Sequence, residues 1–121
     1  MKLDQRAVDR VSGPSWEAMR PAVLKLADAL LSPSEKATNQ LTTIYVKFER
    51  PAGSVYAVMW VKKSTQVVVG LALPAGMNSP RFHAPPSTMK YPGLTAYFSV
   101  TSPEDVPAEV GAWAQAAFAA L

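Results

Sequence analysis

From residue 41 to residue 73 the chain reads as three consecutive strands joined by links a few residues long, and this constrains the fold more than any other feature. Parallel neighbours need a crossover of about a dozen residues or more, so such links force antiparallel pairing. Ile44, Val46 and Phe48 alternate with Thr43, Tyr45, Lys47 and Glu49, the period of a half-buried strand. Arg50-Pro51-Ala52-Gly53 supplies turn chemistry, and Val55 to Val61 is apolar on both faces. Lys62-Lys63-Ser64-Thr65 then turns the chain into Gln66 to Leu73, which is rich in β-branched residues and interrupted by Gly70.

Register follows in part. With Glu49 opposite Ser54 across a four-residue turn, Phe48, Val46 and Ile44 lie beside Val55, Ala57 and Met59. An odd-length turn at Lys63-Ser64-Thr65 adds Val67, Val69, Leu71 and Leu73 to that face and leaves Thr43, Tyr45, Lys47, Tyr56, Val58 and Trp60 on the other. An even-length turn mixes the two sets.

Helical spacing flanks this region. Asp4 to Val11 makes one or two turns, stopped by Ser12-Gly13-Pro14. Trp16, Met19, Val23, Ala27 and Leu30 form an apolar stripe, with Ser12 or Ser15 as N-cap and Glu17 in the first turn. Pro21 falls inside it and reads as a kink or as the start of a helix fed by a short turn; the continuous stripe favours the kink. Past a Pro- and Gly-punctuated connection over 74–93, Leu94, Ala96, Phe98 and Val100 alternate with Thr95, Tyr97, Ser99 and Thr101 as a fourth strand. Ser102-Pro103-Glu104-Asp105 is a capping sequence, Pro107 restarts a helix, and Val106, Val110, Trp113, Ala117 and Leu121 keep helical spacing. The expectation is a single α+β domain over 1–121, an antiparallel four-stranded sheet with N-terminal and C-terminal helices packed on one face. With 49% hydrophobic residues in 121, one core forms and a disordered chain is excluded.

Composition narrows the chemistry. No cysteine is present, which removes disulfides, a thiolate nucleophile and Cys-based zinc or iron–sulfur sites. His83 is the only histidine, so a multi-His metal site cannot form within one chain. Gly70, Gly76 and Gly93 lack phosphate-loop spacing, and Ser64 and Ser87 lack a nucleophile motif. No metal or cofactor is expected, and an enzyme is the less favoured reading. The N-terminal residues show no continuous apolar stretch, so the expectation is a soluble cytoplasmic protein without membrane association.

Charge is unevenly spread. The 54 residues between Glu49 and Glu104 contain no Asp or Glu but carry Arg50, Lys62, Lys63, Arg81 and Lys90, a surplus of +5 within an overall +3. Such a segment attracts an anionic ligand or nucleic acid, although lysines at turns also serve as ordinary solvated charges. Tyr45, Tyr56 and Trp60, with Tyr97 as a neighbour, form an aromatic face, and the long loop over 74–93 serves either as a lid on a ligand or as a plain cover. The reading is a non-enzymatic binding domain for an anionic or aromatic ligand. Tyr45, Trp60 and Tyr91 act as aromatic walls, Lys47 and Arg81 as charge anchors, and His83 as a polar donor. Glu104, Asp105 and Glu109 carry an iron-binding alternative, since hard cations take oxygen ligands, and the basic half carries a nucleic-acid alternative. Gly111, Ala112, Gln115, Ala116, Ala119 and Ala120 give the last helix a small-residue side that allows a homodimer.

Thr43-Ile44-Tyr45-Val46-Lys47-Phe48, the hairpin ending Trp60-Val61-Lys62-Lys63, and the tail from Gly93-Leu94-Thr95 through Ser102-Pro103-Glu104-Asp105-Val106-Pro107 to Trp113 and Phe118 resemble a bacterial family of small α+β domains. That family has no assigned function, occurs alone or in predicted transport proteins, and is similar in outline to YdhG-like proteins. The resemblance covers residues 14–120 and implies the same α+β fold; by analogy with frataxin it implies iron delivery. Related sequences carry a His-containing turn before the last strand, where this chain has Tyr91-Pro92-Gly93.

Overall fold

The sheet is a simple meander whose first four strands are joined by short turns. β1 (Thr38–Thr42), β2 (Tyr45–Glu49), β3 (Val55–Lys63), β4 (Gln66–Leu71) and β5 (Ala96–Val100) lie in spatial order β1-β2-β3-β4-β5, every neighbour antiparallel. The computed structural model describes residues 2–120, with helices α1 (Gln5–Arg10), α2 (Arg20–Leu31) and α3 (Val110–Ala119) around that sheet. Leu121, read from the sequence as the last residue of the helical stripe, lies outside the described residues.

The sheet has five strands where four are expected, because Thr43 and Ile44 form a two-residue turn and Thr42 pairs with Tyr45. Thr43 takes φ +53, the left-handed conformation that tight hairpins require and that Gly or Asn usually signals. β1 is itself polar (TNQLT) and alternately exposed, so it lacks the apolar alternation by which a strand is recognised. Ile44 consequently leaves the first face and packs with the second.

Two irregularities set the faces. Phe48 pairs with Ala57 and Glu49 with Val55, so Tyr56 is the extra residue of a bulge. The bulge turns the Tyr56 ring onto the helix side, fully buried, with its hydroxyl donating to Leu30 O at 2.6 Å. Tyr56 therefore leaves the aromatic face on which strict alternation places it, and Val55 joins that face instead. In the next hairpin Lys63 pairs with Gln66, a two-residue turn, but a second register shift lies between Trp60 and Lys63. An even turn plus one bulge residue has the parity of an odd turn, so Val67, Val69, Leu71 and Leu73 share the first face.

The helices begin later than the stripe implies. Trp16 belongs to a short 3-10 turn, Pro14–Trp16, and Pro21 sits in the first turn of α2, where its missing N–H needs no partner, so there is no kink. No serine side chain caps α2; Arg20 Nε donates to Val11 O at 2.6 Å and Nη2 to Gly13 O at 2.9 Å, tying helix start to α1 end. Pro103–Asp105 is a separate 3-10 turn and α3 starts at Val110, beyond Pro107.

Two apolar clusters result. The first joins Ala7, Val11, Trp16, Val23, Leu26, Leu30, Val110, Trp113 and Ala117 of the helical segments to Val46, Phe48, Met59, Val69, Leu71, Phe98 and Val100 of the sheet. The second consists of Val58, Trp60, Val68 and Tyr97, with Ile44, Tyr45, Val55, Met89, Tyr91 and Leu94 packed against them. Each outer edge of the sheet is also closed by a carboxylate and a guanidinium. On β1, Leu41 N–H donates to Asp4 Oδ2 at 2.7 Å and Arg6 Nη2 donates to Leu41 O at 3.0 Å. On β5, Thr101 N–H donates to Asp105 Oδ2 at 3.0 Å and Arg81 Nη2 donates to Ser99 O at 2.7 Å. No helix among the described residues is long and apolar enough to cross a membrane.

Candidate ligand-binding cleft

The 74–93 connection is a chain of turns. Met77 N–H bonds Pro74 O, Phe82 N–H bonds Ser79 O, Met89 N–H bonds Pro86 O and Leu94 N–H bonds Tyr91 O, at 2.9 to 3.4 Å. The last turn has Pro92 at its second position and Gly93 at its third with φ +90, the type II arrangement that a Pro-Gly pair favours. Midway, His83 N–H donates to Tyr97 O at 2.9 Å and fastens the loop to β5 as an isolated bridge. The loop then crosses the second face, setting Met89, Tyr91 and Leu94 on the aromatic cluster.

A cleft of about 610 Å³ lies between the limbs of this crossing. Pro85, Tyr91, Pro92, Leu94 and Tyr97 give it apolar and aromatic walls, and His83 and Lys90 add an imidazole and an ammonium. Tyr97 is fixed from both sides: its hydroxyl accepts Tyr91 N–H at 3.1 Å and its ring lies 6.0 Å from Trp60. Tyr91 in turn meets Tyr45 edge-on at 6.0 Å. A second cleft of about 570 Å³, lined by Leu73, Met77, Phe82 and Thr95 among others, lies on the other side of His83 and Ala84.

His83 is held at both ring nitrogens. Nδ1 lies 2.7 Å from Ala84 O and Nε2 lies 2.7 Å from Ser99 Oγ. A carbonyl only accepts, so in the neutral ring the proton sits on Nδ1 and Nε2 accepts from the serine hydroxyl.

Of the six residues singled out in the sequence, His83 and Tyr91 line the cleft. Tyr45 supports Tyr91 from behind, and Trp60, only 3% exposed, lies beneath the cleft instead of forming a wall. Lys47 is half-buried on β2 opposite Val58. Arg81 turns away: Nη1 donates to Asp105 Oδ1 at 2.8 Å while Nη2 holds Ser99 O. Of the five cations in the acid-free segment, Arg50 is likewise engaged within the fold, at Phe118 O, Ala117 O and Ala120 O. Lys90 enters the sequence reading only as one of the five cations, and Leu94, Pro85 and Pro92 carry no ligand signal there; the Tyr-Pro-Gly turn marks that limb, but nothing in the sequence gives its position over β5.

The carboxylates at 104–109 do not converge. Asp105 is held below the usual carboxylate range by the Thr101 N–H, then by Arg81. Among the described residues no group of three or more His, Asp or Glu side chains is placed to hold a metal ion. No protein-family model, curated protein or solved structure matches the chain.

Proposed function

We propose that the protein is a small ligand-binding domain whose cleft between 83–85 and 90–97 takes a planar ring bearing a negative charge. The observation that carries this reading is the lining itself: two tyrosines, two prolines, one ammonium and one imidazole around about 610 Å³. Ligand sites run to about 300–1,000 Å³, mostly apolar with a few polar groups that fix orientation. The reading takes the helices to cover only the first face, supported by their shared cluster with Val46, Phe48 and Met59, and leaves the second face to the loop. It keeps the outline of the YdhG-like family for the fold and a reducing, cytoplasmic setting for a cysteine-free chain. Iron delivery is not part of it, because Asp105 already has Arg81 and Thr101 as partners. A nucleic-acid role draws less support, since Arg50 and Arg81 are bonded within the fold.

Thermal-shift titration tests this, because a molecule that binds only the folded state raises its apparent stability. Salicylate, indole-3-acetate and adenosine monophosphate are set against inorganic phosphate and benzyl alcohol. The expected result is a rise in Tm with ring-bearing anions, smaller with either half alone, and weakened about tenfold by Lys90→Ala. A flat response to every probe, or a response unaltered by Lys90→Ala and Tyr91→Ala, overturns the reading.

A further inference from the structure

We propose that the Ser99 hydroxyl, hydrogen-bonded to His83 Nε2 at the outer edge of β5, is an activated nucleophile toward acyl esters with good leaving groups. A serine hydroxyl is weakly nucleophilic alone and needs a base within about 2.6–3.2 Å, itself oriented by a third group. Here the base is at 2.7 Å, and Ala84 O, 2.7 Å from Nδ1, orients it. Both partners are also fixed through the backbone: His83 N–H bonds Tyr97 O, and Arg81 clamps Ser99 O while paired to Asp105. His83 is exposed and Ser99 half-buried, so the pair lies at the surface of this edge.

The step balances with water as the only co-reactant. Ser99 Oγ bonds to the acyl carbon as its proton passes to His83 Nε2. The carbon–oxygen bond to the leaving group then breaks, and that oxygen departs with the proton. Water, deprotonated by the same nitrogen, later cleaves the seryl ester. A neutral carbonyl orients the imidazole but does not offset its positive charge as a carboxylate does, which restricts the substrates to esters whose leaving group departs readily. The charged groups around the pair are the Arg81–Asp105 ion pair and Lys90, across the cleft that His83 lines.

The test is acetylation by p-nitrophenyl acetate, with the adduct located by peptide mass spectrometry. Wild type is expected to carry acetyl on Ser99 at a rate that climbs as one group deprotonates. His83→Gln should slow that labelling about 100-fold, the size of a general-base contribution, and remove the climb. Ser99→Ala should lose the adduct, and Ser87→Ala should leave it unchanged. Circular dichroism checks that each variant folds; if His83→Gln does not, the wild-type pH profile and Ser99→Thr decide. Acetyl confined to lysines, or Ser99 labelling that ignores both pH and His83→Gln, overturns the proposal. No ligand enters this assay, so its failure is distinct from failure of the binding reading.

Discussion

At Gly70 the β4 backbone makes room for two side chains at once: a Cβ there would lie 2.7 Å from Leu94 Cδ1 and 2.8 Å from Tyr97 Cε2. In the sequence this glycine looks like a flaw in a β-branched run; in the fold it lets the floor of the cleft lie flat on the sheet. Gly70→Ala should therefore displace Leu94 and Tyr97 and destabilise by about 1–3 kcal/mol, the usual cost of overpacking, as read by urea denaturation. Tyr56 teaches the opposite lesson, because its residue type was legible and its direction was not. A bulge turns it inward, where burial pushes the phenol up to about 12. A neutral phenol favoured by folding contributes stability that is complete below the unfolded value near 10 and is lost as pH rises through about 12. Tyr56→Phe should remove that alkaline loss. At neutral pH it should cost about 1–2 kcal/mol, since Leu30 O loses its donor; chemical denaturation at pH 7 and pH 11 separates the two effects.

Elements were legible where one face is apolar and illegible where polar groups do the positioning. β2 to β5 and the α2 stripe follow from period, whereas β1 pairs through backbone groups and carries only Leu41 as a large apolar residue. Its outer edge is closed by Asp4 and Arg6, remote in sequence from Leu41, so no local pattern announces it. Asp4 and Asp105 are both held below the usual carboxylate value, chiefly by the backbone N–H of Leu41 and of Thr101 respectively. A depressed carboxylate contributes stability that is present above its unfolded value near 3.8 and is lost as pH falls through the lower folded one. As pH falls through those lowered folded values both edges should thus open, and an open strand edge invites pairing with another chain. Sedimentation velocity should show association at pH 3 but not at pH 7, and the double variant Asp4→Asn, Asp105→Asn should associate already at neutral pH. Arg50 closes another gap of this kind by donating to three carbonyls at the end of α3 and to Ser54 Oγ. Arg50→Ala should cost about 1–3 kcal/mol, and Arg50→Lys should recover little of it, because an ammonium lacks the planar fork; thermal melts of the two variants compare them directly.

The whole molecule is a sheet with two apolar clusters, one shared with the helices and a second, around Trp60 and Tyr97, joined by Met89 and Tyr91 of the 74–93 loop. That face could be anticipated from Tyr45, Val58 and Trp60, and the 74–93 loop stood out by its length and prolines. That the loop covers the face follows from the same reading, but the means do not, because they are the His83 bridge to Tyr97 and a Pro-Gly turn that aims Tyr91 at Tyr45. The loop is consequently both the cover of a small core and the frame of a cleft, two roles that a substitution can separate. Replacing residues 85–92 by a short Gly-Ser link should uncover Val58, Trp60, Val68 and Tyr97 while leaving the helix-lined cluster intact, since that cluster takes none of its members from 85–92. Far-ultraviolet circular dichroism should stay close to that of the parent. The bared face, a contiguous apolar patch of the kind that monomers rarely expose, should bind anilinonaphthalene sulfonate and drive dimerisation visible by light scattering. A monomer without dye binding would mean that the sheet closes over the aromatic cluster unaided, leaving ligand capture as the reason for the loop. Loss of circular dichroism would instead mean that the two clusters fold as one unit, with the cover as necessary to the fold as the helices.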